Sequence, residues 1–164
     1  MFVFGHAGLT IAAARAVDRG VDLRWAVLLS LGPDIIDKPL ARIVPALVSH
    51  NTRSFGHSVL SSLVVLAVLL LWKRRPRAAL LLWACYAGHF LLDFMWLNAN
   101  PVILCWPLAG GFPGPVRGPV LSWLTVWYVA GELAGFYVVA RLVRRHGLME
   151  RPKLVAFLKS GRLA

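Results

Sequence analysis

Three histidines and three aspartates are candidates for chemistry, because they lie in or beside segments that are otherwise apolar. His89 and Asp93, in the stretch AGHFLLDFMW, are four residues apart and would share one face of a helix. Asp34 and Asp37, in GPDIID, are three residues apart and would also share a face. The full candidate set is His6, Asp34, Asp37, His57, His89 and Asp93.

The chemistry that suits these side chains is metal binding. Imidazole and carboxylate groups are ligands that zinc prefers, and carboxylate-rich clusters also admit manganese or iron. Carboxylates are costly in hydrocarbon, and a divalent cation would supply their countercharge. Two ions about 3.5–4 Å apart could activate water and clamp a phosphoryl oxygen. We therefore expect one or two divalent ions, zinc first, although a single intramembrane His or Asp is often only a helix–helix hydrogen-bond partner.

Membrane helices are the elements that must position these residues. The chain has 164 residues, is 59% hydrophobic and has a mean hydropathy of +0.68, which exceeds the apolar half that is typical of soluble domains. A span needs roughly 20 apolar residues; the last two apolar segments reach that length, the third nearly does, and the first two are short. We predict an all-α polytopic membrane bundle of about five transmembrane or half-spanning helices. The five segments cover about residues 2–17, 23–36, 57–72, 78–97 and 119–141.

Prolines, glycines and basic runs separate the segments. Gly32-Pro33 disrupts the end of the second segment, and Lys38-Pro39 follows it. KRRPR, residues 73–77, predicts a tight basic hairpin. Residues 98–118 are rich in Pro and Gly but still apolar, so we expect this loop to form a lid or an acyl-chain wall.

The last residues of the chain are basic and partly amphipathic, and we expect them to lie on the membrane surface. We therefore predict a membrane-embedded domain over residues 1–145 and a basic cytoplasmic tail over residues 146–164.

The basic residues also predict orientation. The net charge is +11, from 18 Lys and Arg against 7 Asp and Glu. If hairpin 73–77 is cytoplasmic, most of the basic residues fall on the cytoplasmic side. This predicts a multi-pass membrane protein with the C-terminus inside and the N-terminus and metal site outside. Since topology then explains the charge, we expect no nucleic-acid partner, and anionic membrane lipids become the natural partner of the tail.

Two polar residues outside the ligand set have properties that suit function. The guanidinium of Arg53 can fork onto two phosphate oxygens. Glu132 lies in the middle of the fifth segment, within AGELAG, where an ionisable residue is functional by default. Gly131 and Gly135 beside it also fit a close-packing helix face, which is the structural alternative. As a functional residue, Glu132 is expected either near the metal ligands or in a substrate pocket.

Five short motifs occur in order along the chain. They are Gly5-His6, PDIID at 33–37, TRSFGHS at 52–58, HFLLD at 89–93 and Trp106-Pro107. Together they resemble the YdjM-type family of inner-membrane metal-dependent hydrolases over about residues 5–107. The resemblance implies that the six candidate ligands hold metal, with Arg53 and Ser58 as further site residues, and that the chain lies in the inner membrane of a bacterium or archaeon. The family's pattern is itself similar to that of the all-helical zinc-dependent phospholipase C and nuclease group.

Two positions depart from the family pattern. Thr52 stands where the family has a histidine, and Gly56 stands where it has a threonine. His50, two residues before Thr52, is a candidate substitute for the missing histidine and a second-sphere candidate.

Together these features predict an integral-membrane metal-dependent hydrolase that acts on phosphoester bonds of a lipid or lipid-linked substrate. Asp37 would be the general base and Arg53 would bind phosphate. One alternative is a metal-ion or proton transporter, but only Glu132 could extend a polar path inward. Another is a non-catalytic membrane regulatory protein with a vestigial site, which the changes at Thr52 and Gly56 would allow.

Overall fold

The computed structural model describes residues 3–73, 75–97, 100–114 and 123–163. These residues form helices and no strand, which confirms the all-α class. The chain divides into two compact units, Met1–Ser30 with Val120–Ala164, and Leu31–Pro119. The helices are α1 (Val3–Val17), α2 (Leu23–Ser30), α3 (Gly32–Ile43), α4 (Val59–Trp72), α5 (Pro76–Leu92), α6 (Asn100–Leu104), α7 (Trp123–Arg145) and α8 (Arg151–Ser160).

In the first unit, α1 and α7 run parallel and pack backbone to backbone. A Cβ atom added at Gly8 would collide with the backbone of Gly135, and one added at Gly135 would collide with the backbone of Phe4. The Glu132 carboxylate accepts the backbone N–H groups of Phe4, at 2.9 Å, and of Gly5, at 2.7 Å. These donors have no partner within α1, so Glu132 closes the amino end of that helix and complements its dipole.

The segment before and at the start of α2 holds the carboxyl end of α8 in the same unit. The Arg24 guanidinium donates to the carbonyls of Leu158, at 2.7 Å, and Lys159, at 2.9 Å, and it pairs with Asp22 at 2.7 Å. The N–H of Leu23 donates to the carbonyl of Gly161 at 2.8 Å. The otherwise unpaired carbonyls of the last turn of α8 are thereby satisfied.

The second unit begins where the predicted second segment divides. We expected one helix over about 23–36, but α2 ends at Ser30 and α3 starts at Gly32 and continues through Pro39 to Ile43. Pro33 lies in the first turn of α3, where a missing N–H costs nothing, so it starts a helix rather than ending one.

The fourth segment is shorter than the predicted 78–97, because α5 ends at Leu92. Phe94 has a left-handed backbone, with φ of 51°. The N–H of Met95 donates to the carbonyl of Phe90, and the N–H of Phe94 donates to that of Leu91. These are the two bonds of a Schellman motif, and they leave Asp93 at the helix cap.

Among the described residues, only α7 passes as a membrane span. It has 23 residues, and only 11% of its most apolar window is buried, which differs from the core helix of a soluble protein. At 1.5 Å per residue α7 is about 35 Å long, whereas α4, with 14 residues, reaches about 21 Å of a hydrocarbon core near 30 Å. A bundle of about five full spans is therefore not confirmed. The predicted segment 119–141 begins outside the described residues, and its helix continues to Arg145.

Candidate metal centre

Three predicted ligands converge in the second unit. His57 ends a 3₁₀ turn before α4, His89 lies in the last turn of α5, and Asp34 lies in the first turn of α3. The Nε2 atoms of the two histidines are 3.1 Å apart, and Oδ1 of Asp34 lies 3.9 Å from one and 4.0 Å from the other. Both imidazoles are fully buried. This arrangement, which we call the His57–His89 centre, is one that could hold a metal ion.

Asp37 sets the orientation of His57. Its Oδ2 atom lies 2.7 Å from Nδ1 of His57. If Nδ1 carries the proton and donates it to the carboxylate, Nε2 keeps a lone pair directed at the centre. Metal-binding histidines are usually held in this way by a carboxylate on the second nitrogen.

The Asp37 carboxylate is also held by the backbone that precedes α4. It accepts the N–H groups of Ser54, at 2.6 Å, Gly56, at 2.8 Å, and His57, at 3.2 Å. Burial alone would raise the pKa of Asp37, but the hydrogen bond and charge of His57 and the backbone donors outweigh it and leave this pKa below its usual value. These contacts favour an orienting role for Asp37. Its predicted roles as ligand and general base stay predictions.

The same turn explains one departure from the family pattern. A Cβ atom on Gly56 would lie 2.7 Å from the carbonyl oxygen of Pro33 and 3.2 Å from Oδ1 of Asp37. Glycine therefore lets the turn approach α3 closely enough for its N–H groups to reach Asp37. A threonine would need α3 to move away.

Asp93 and Arg53 form a second charged layer beside the centre. Oδ2 of Asp93 accepts from Nε of Arg53, at 3.2 Å, and from Nη2, at 2.8 Å. The same oxygen lies 3.8 Å from Nε2 of His89. The N–H of Arg53 donates to the side chain of Asn51 at 3.0 Å, which fixes the start of this loop. Arg53 thus holds a carboxylate next to the metal-ligating face of His89.

The donor set could hold a divalent metal ion, and the spacing of the two imidazoles is compatible with zinc, although Oδ1 of Asp34 lies farther out, at 3.9 and 4.0 Å from the two Nε2 atoms. Zinc–nitrogen bonds of about 2.0–2.1 Å in a tetrahedral site separate two ligand nitrogens by roughly 3.3 Å, close to the 3.1 Å between the imidazoles. Oδ2 of Asp34 forms an ion pair with Nζ of Lys38 at 2.7 Å, and Oδ1 is the oxygen on the side of the histidines. Two neutral imidazoles and a carboxylate are typical protein ligands of zinc.

Sequence reasoning missed Tyr86 as a positioning residue. Tyr86 is 1% exposed, and its hydroxyl donates to the carbonyl of Gly56 at 2.7 Å. Tyr86 lies three residues before His89 on α5, and this spacing could have indicated that the two side chains share a helix face. Ser58, a predicted site residue, caps α4 by accepting the N–H of Ser61 at 3.1 Å. Both residues support the turn that carries His57.

Part of the predicted apolar loop covers this turn. The ring of Phe55 makes edge contacts with Trp106, at 4.9 Å between centroids, and with Phe112, at 4.8 Å. Trp106 and Phe112 stack on each other at 5.4 Å. Residues 98, 99 and 115–118 of the predicted loop lie outside the described residues.

Three further predicted residues are described by their contacts within their own units. His6 belongs to α1 in the first unit, where its carbonyl accepts from Ser30 at 3.0 Å, and its place among the ligands stays a prediction. His50 is exposed and has a left-handed backbone, with φ of 58°. Glu132 caps α1, as described above, and its predicted place near the ligands stays a prediction.

Comparison with known proteins finds one family. The model of the family described as YdjM inner membrane protein matches residues 1–158. No curated protein and no solved structure matches the chain.

Proposed function

The chain belongs to the YdjM inner membrane protein family, and from this premise we propose that it is a membrane-embedded, metal-dependent hydrolase. The observation that carries the proposal is the convergence of two buried imidazole Nε2 atoms and a carboxylate oxygen at the His57–His89 centre. Two imidazole nitrogens and a carboxylate oxygen are groups whose lone pairs a divalent cation can accept together.

The residues around the centre have distinct roles in this proposal. Asp34, His57 and His89 would hold one zinc ion, which when bound would activate water and polarise a phosphoryl oxygen. Asp37 keeps the His57 ring in the ligating orientation through Nδ1. Arg53 holds Asp93 beside His89, and its charge favours a phosphate in the same place.

The proposed substrate class is a phosphoester of a lipid or a lipid-linked molecule. Family membership makes the chain an inner membrane protein, so its substrates can arrive from the bilayer. The aromatic cluster of Phe55, Trp106 and Phe112 lies next to the turn that carries His57 and offers an apolar surface to an acyl or isoprenoid chain. We place the centre on the outer side of the membrane by the distribution of basic residues.

Elemental analysis of the detergent-purified full chain tests the metal claim. We expect about one zinc ion per native chain and almost none in the double variant His57→Ala/His89→Ala, because it removes two of three ligands. His146→Ala is the matched control, since it removes a histidine of the other unit. Native protein that carries less than roughly half an ion under chelator-free conditions contradicts a zinc site.

Hydrolysis is then measured on the same preparations, with phospholipids and with the soluble diester bis(p-nitrophenyl) phosphate. We expect native activity to disappear with a chelator and to return with zinc, and the double variant to be inactive. Native protein that binds zinc but cleaves neither class of phosphoester would retain the metal centre and contradict the hydrolase.

A further inference from the structure

A basic cavity of about 300 Å³ lies in the first unit, at the carboxyl ends of α1 and α7. Arg15 of α1 and Arg141 and Arg145 of α7 line it, with His146 just beyond the end of α7. None of its lining residues is acidic. The cavity therefore concentrates positive charge, and it is separate from the metal centre, whose residues belong to the second unit.

Helix geometry brings these arginines together. Arg141 and Arg145 are four residues apart on α7, so they share a face with Tyr137, which also lines the cavity. Because α1 and α7 run parallel from the contact of Gly8 with Gly135, their carboxyl ends meet on the same side. Arg15 lies two turns beyond Gly8 and so joins the arginines of α7.

The dipoles of α1 and α7 neutralise only part of this positive charge. The carboxyl end of a helix carries about half a negative charge, so two such ends supply roughly one, against three guanidinium groups. The neighbouring cavity, of about 490 Å³, differs because Glu150 lies in its lining and pairs with Lys153 at 2.8 Å. The first cavity has no such internal counterion in its lining.

One of the lining arginines has an unsatisfied donor. Nη1 of Arg15 is buried and has no hydrogen-bond partner in the structure. A buried donor of a charged group is costly when it stays unsatisfied. An anion bound between Arg15 and Arg141 would pair with the Arg15 guanidinium, which is the group that carries this donor.

We propose that this cavity binds the phosphate of an anionic lipid headgroup. Arginine forks match phosphate oxygens, and three of them around one cavity suit a phosphodiester better than a single surface contact. Ile11, Val138 and Leu142 form an apolar wall that an acyl chain can follow. The positive-inside rule places this end of α7 in the cytoplasmic leaflet, where anionic lipids concentrate.

Lipid binding to the purified full chain tests the site by native mass spectrometry and by thermal unfolding in detergent. The probes are phosphatidylglycerol, phosphatidylcholine and inorganic phosphate. We expect phosphatidylglycerol to bind and stabilise the native chain, and Arg15→Gln/Arg141→Gln to weaken its binding at least about tenfold. The control Arg19→Gln/Arg144→Gln removes the same charge from the same helix ends outside the cavity and should keep native affinity.

The outcomes separate the lipid from its alternatives. Equal loss in the two double variants, or native affinity in Arg15→Gln/Arg141→Gln, overturns the site, because general electrostatic attraction would then explain binding. Stabilisation by inorganic phosphate without stabilisation by phosphatidylglycerol overturns the lipid assignment in favour of a free phosphate. Arg141→Gln alone changes an exposed side chain, so it should fold and still bind more weakly even if the double variant unfolds.

Discussion

At the scale of single residues, Asp37 is held by several hydrogen bonds in the second unit. It is fully buried, and its two oxygens accept three backbone N–H groups besides the ring of His57. The carboxylate thus ties α3 to the turn before α4 and orients a predicted ligand. Its contribution to stability should exceed that of any exposed ion pair in the unit.

We predict that Asp37→Asn lowers the free energy of unfolding by about 3 kcal/mol or more, because an amide nitrogen cannot accept from the buried N–H donors. The matched control is Asp18→Asn, an exposed carboxylate that accepts the nearby N–H of Gly20 at 2.8 Å, with an expected cost below about 1 kcal/mol. Denaturant unfolding in detergent measures both values. Equal costs would show that the backbone donors find other partners.

The sequence predicted three residues that converge at the centre, but it did not predict how Asp37 contacts them. Asp34, His57 and His89 were identified by residue type and spacing, and these three converge. The hydrogen bonds of Asp37 come from backbone N–H groups, which have no sequence signature. The need for glycine at position 56 depends on the carbonyl of Pro33, which lies far away in sequence, so the departure from the family pattern could not be interpreted without the structure.

At the scale of helices, the crossing of α1 and α7 depends on glycine. We predict that Gly135→Ala destabilises the chain by about 1–3 kcal/mol or more, because a methyl group would collide with the backbone of Phe4. Gly88→Ala is the control, since a Cβ atom there meets nothing within 4 Å. It should be neutral or stabilising by up to about 1 kcal/mol. Thermal unfolding in detergent distinguishes the two, and similar changes would contradict the close crossing.

The attachment of α8 should depend on pH. Partial burial raises the pKa of Asp22, but its hydrogen bonds with Arg24 and the charge of Arg24 outweigh this and lower it overall. A lowered folded-state pKa gives stability that is present above the usual value near 3.9 and is lost as pH falls through the folded-state value. We therefore predict that the protection of the Leu23 amide against hydrogen exchange, corrected for the intrinsic rate, falls as the pH drops from the usual carboxyl pKa through the lowered pKa of Asp22.

A substitution gives the corresponding result at neutral pH. Arg24→Gln removes the donors to the last carbonyls of α8 and should speed hydrogen exchange at the Leu23 amide at neutral pH. The control Lys153→Gln breaks an exposed ion pair at the other end of α8 and should leave this exchange unchanged. Unchanged exchange in Arg24→Gln would mean that the backbone bond to Gly161 holds α8 alone.

The ends of helices were harder to predict than their existence. Each predicted apolar segment contains a helix within the described residues, but the second divides between α2 and α3. The helix α5 stops at Leu92 because Phe94 adopts a left-handed backbone that usually belongs to glycine. Met95, which is fully buried, follows it and anchors the turn. Nothing in the local sequence announces this, since tertiary packing outweighs the preference of Phe94.

At the scale of the whole chain, the distribution of basic residues predicts orientation, and the two native cysteines test it. Cys105 is exposed and falls in the loop that we place outside, whereas Cys85 is buried. We predict that a membrane-impermeant maleimide labels Cys105 in intact spheroplasts. Arg151→Cys, made in a Cys105→Ser background, should react only after permeabilisation. The opposite pattern would reverse the orientation.

The closure of α1 by Glu132 has a consequence for biosynthesis. The carboxylate lies 128 positions after the N–H group of Phe4 that it accepts, so this partner reaches α1 only after α7 has been synthesised. Until α7 is inserted, water or lipid headgroups must solvate the amino end of α1.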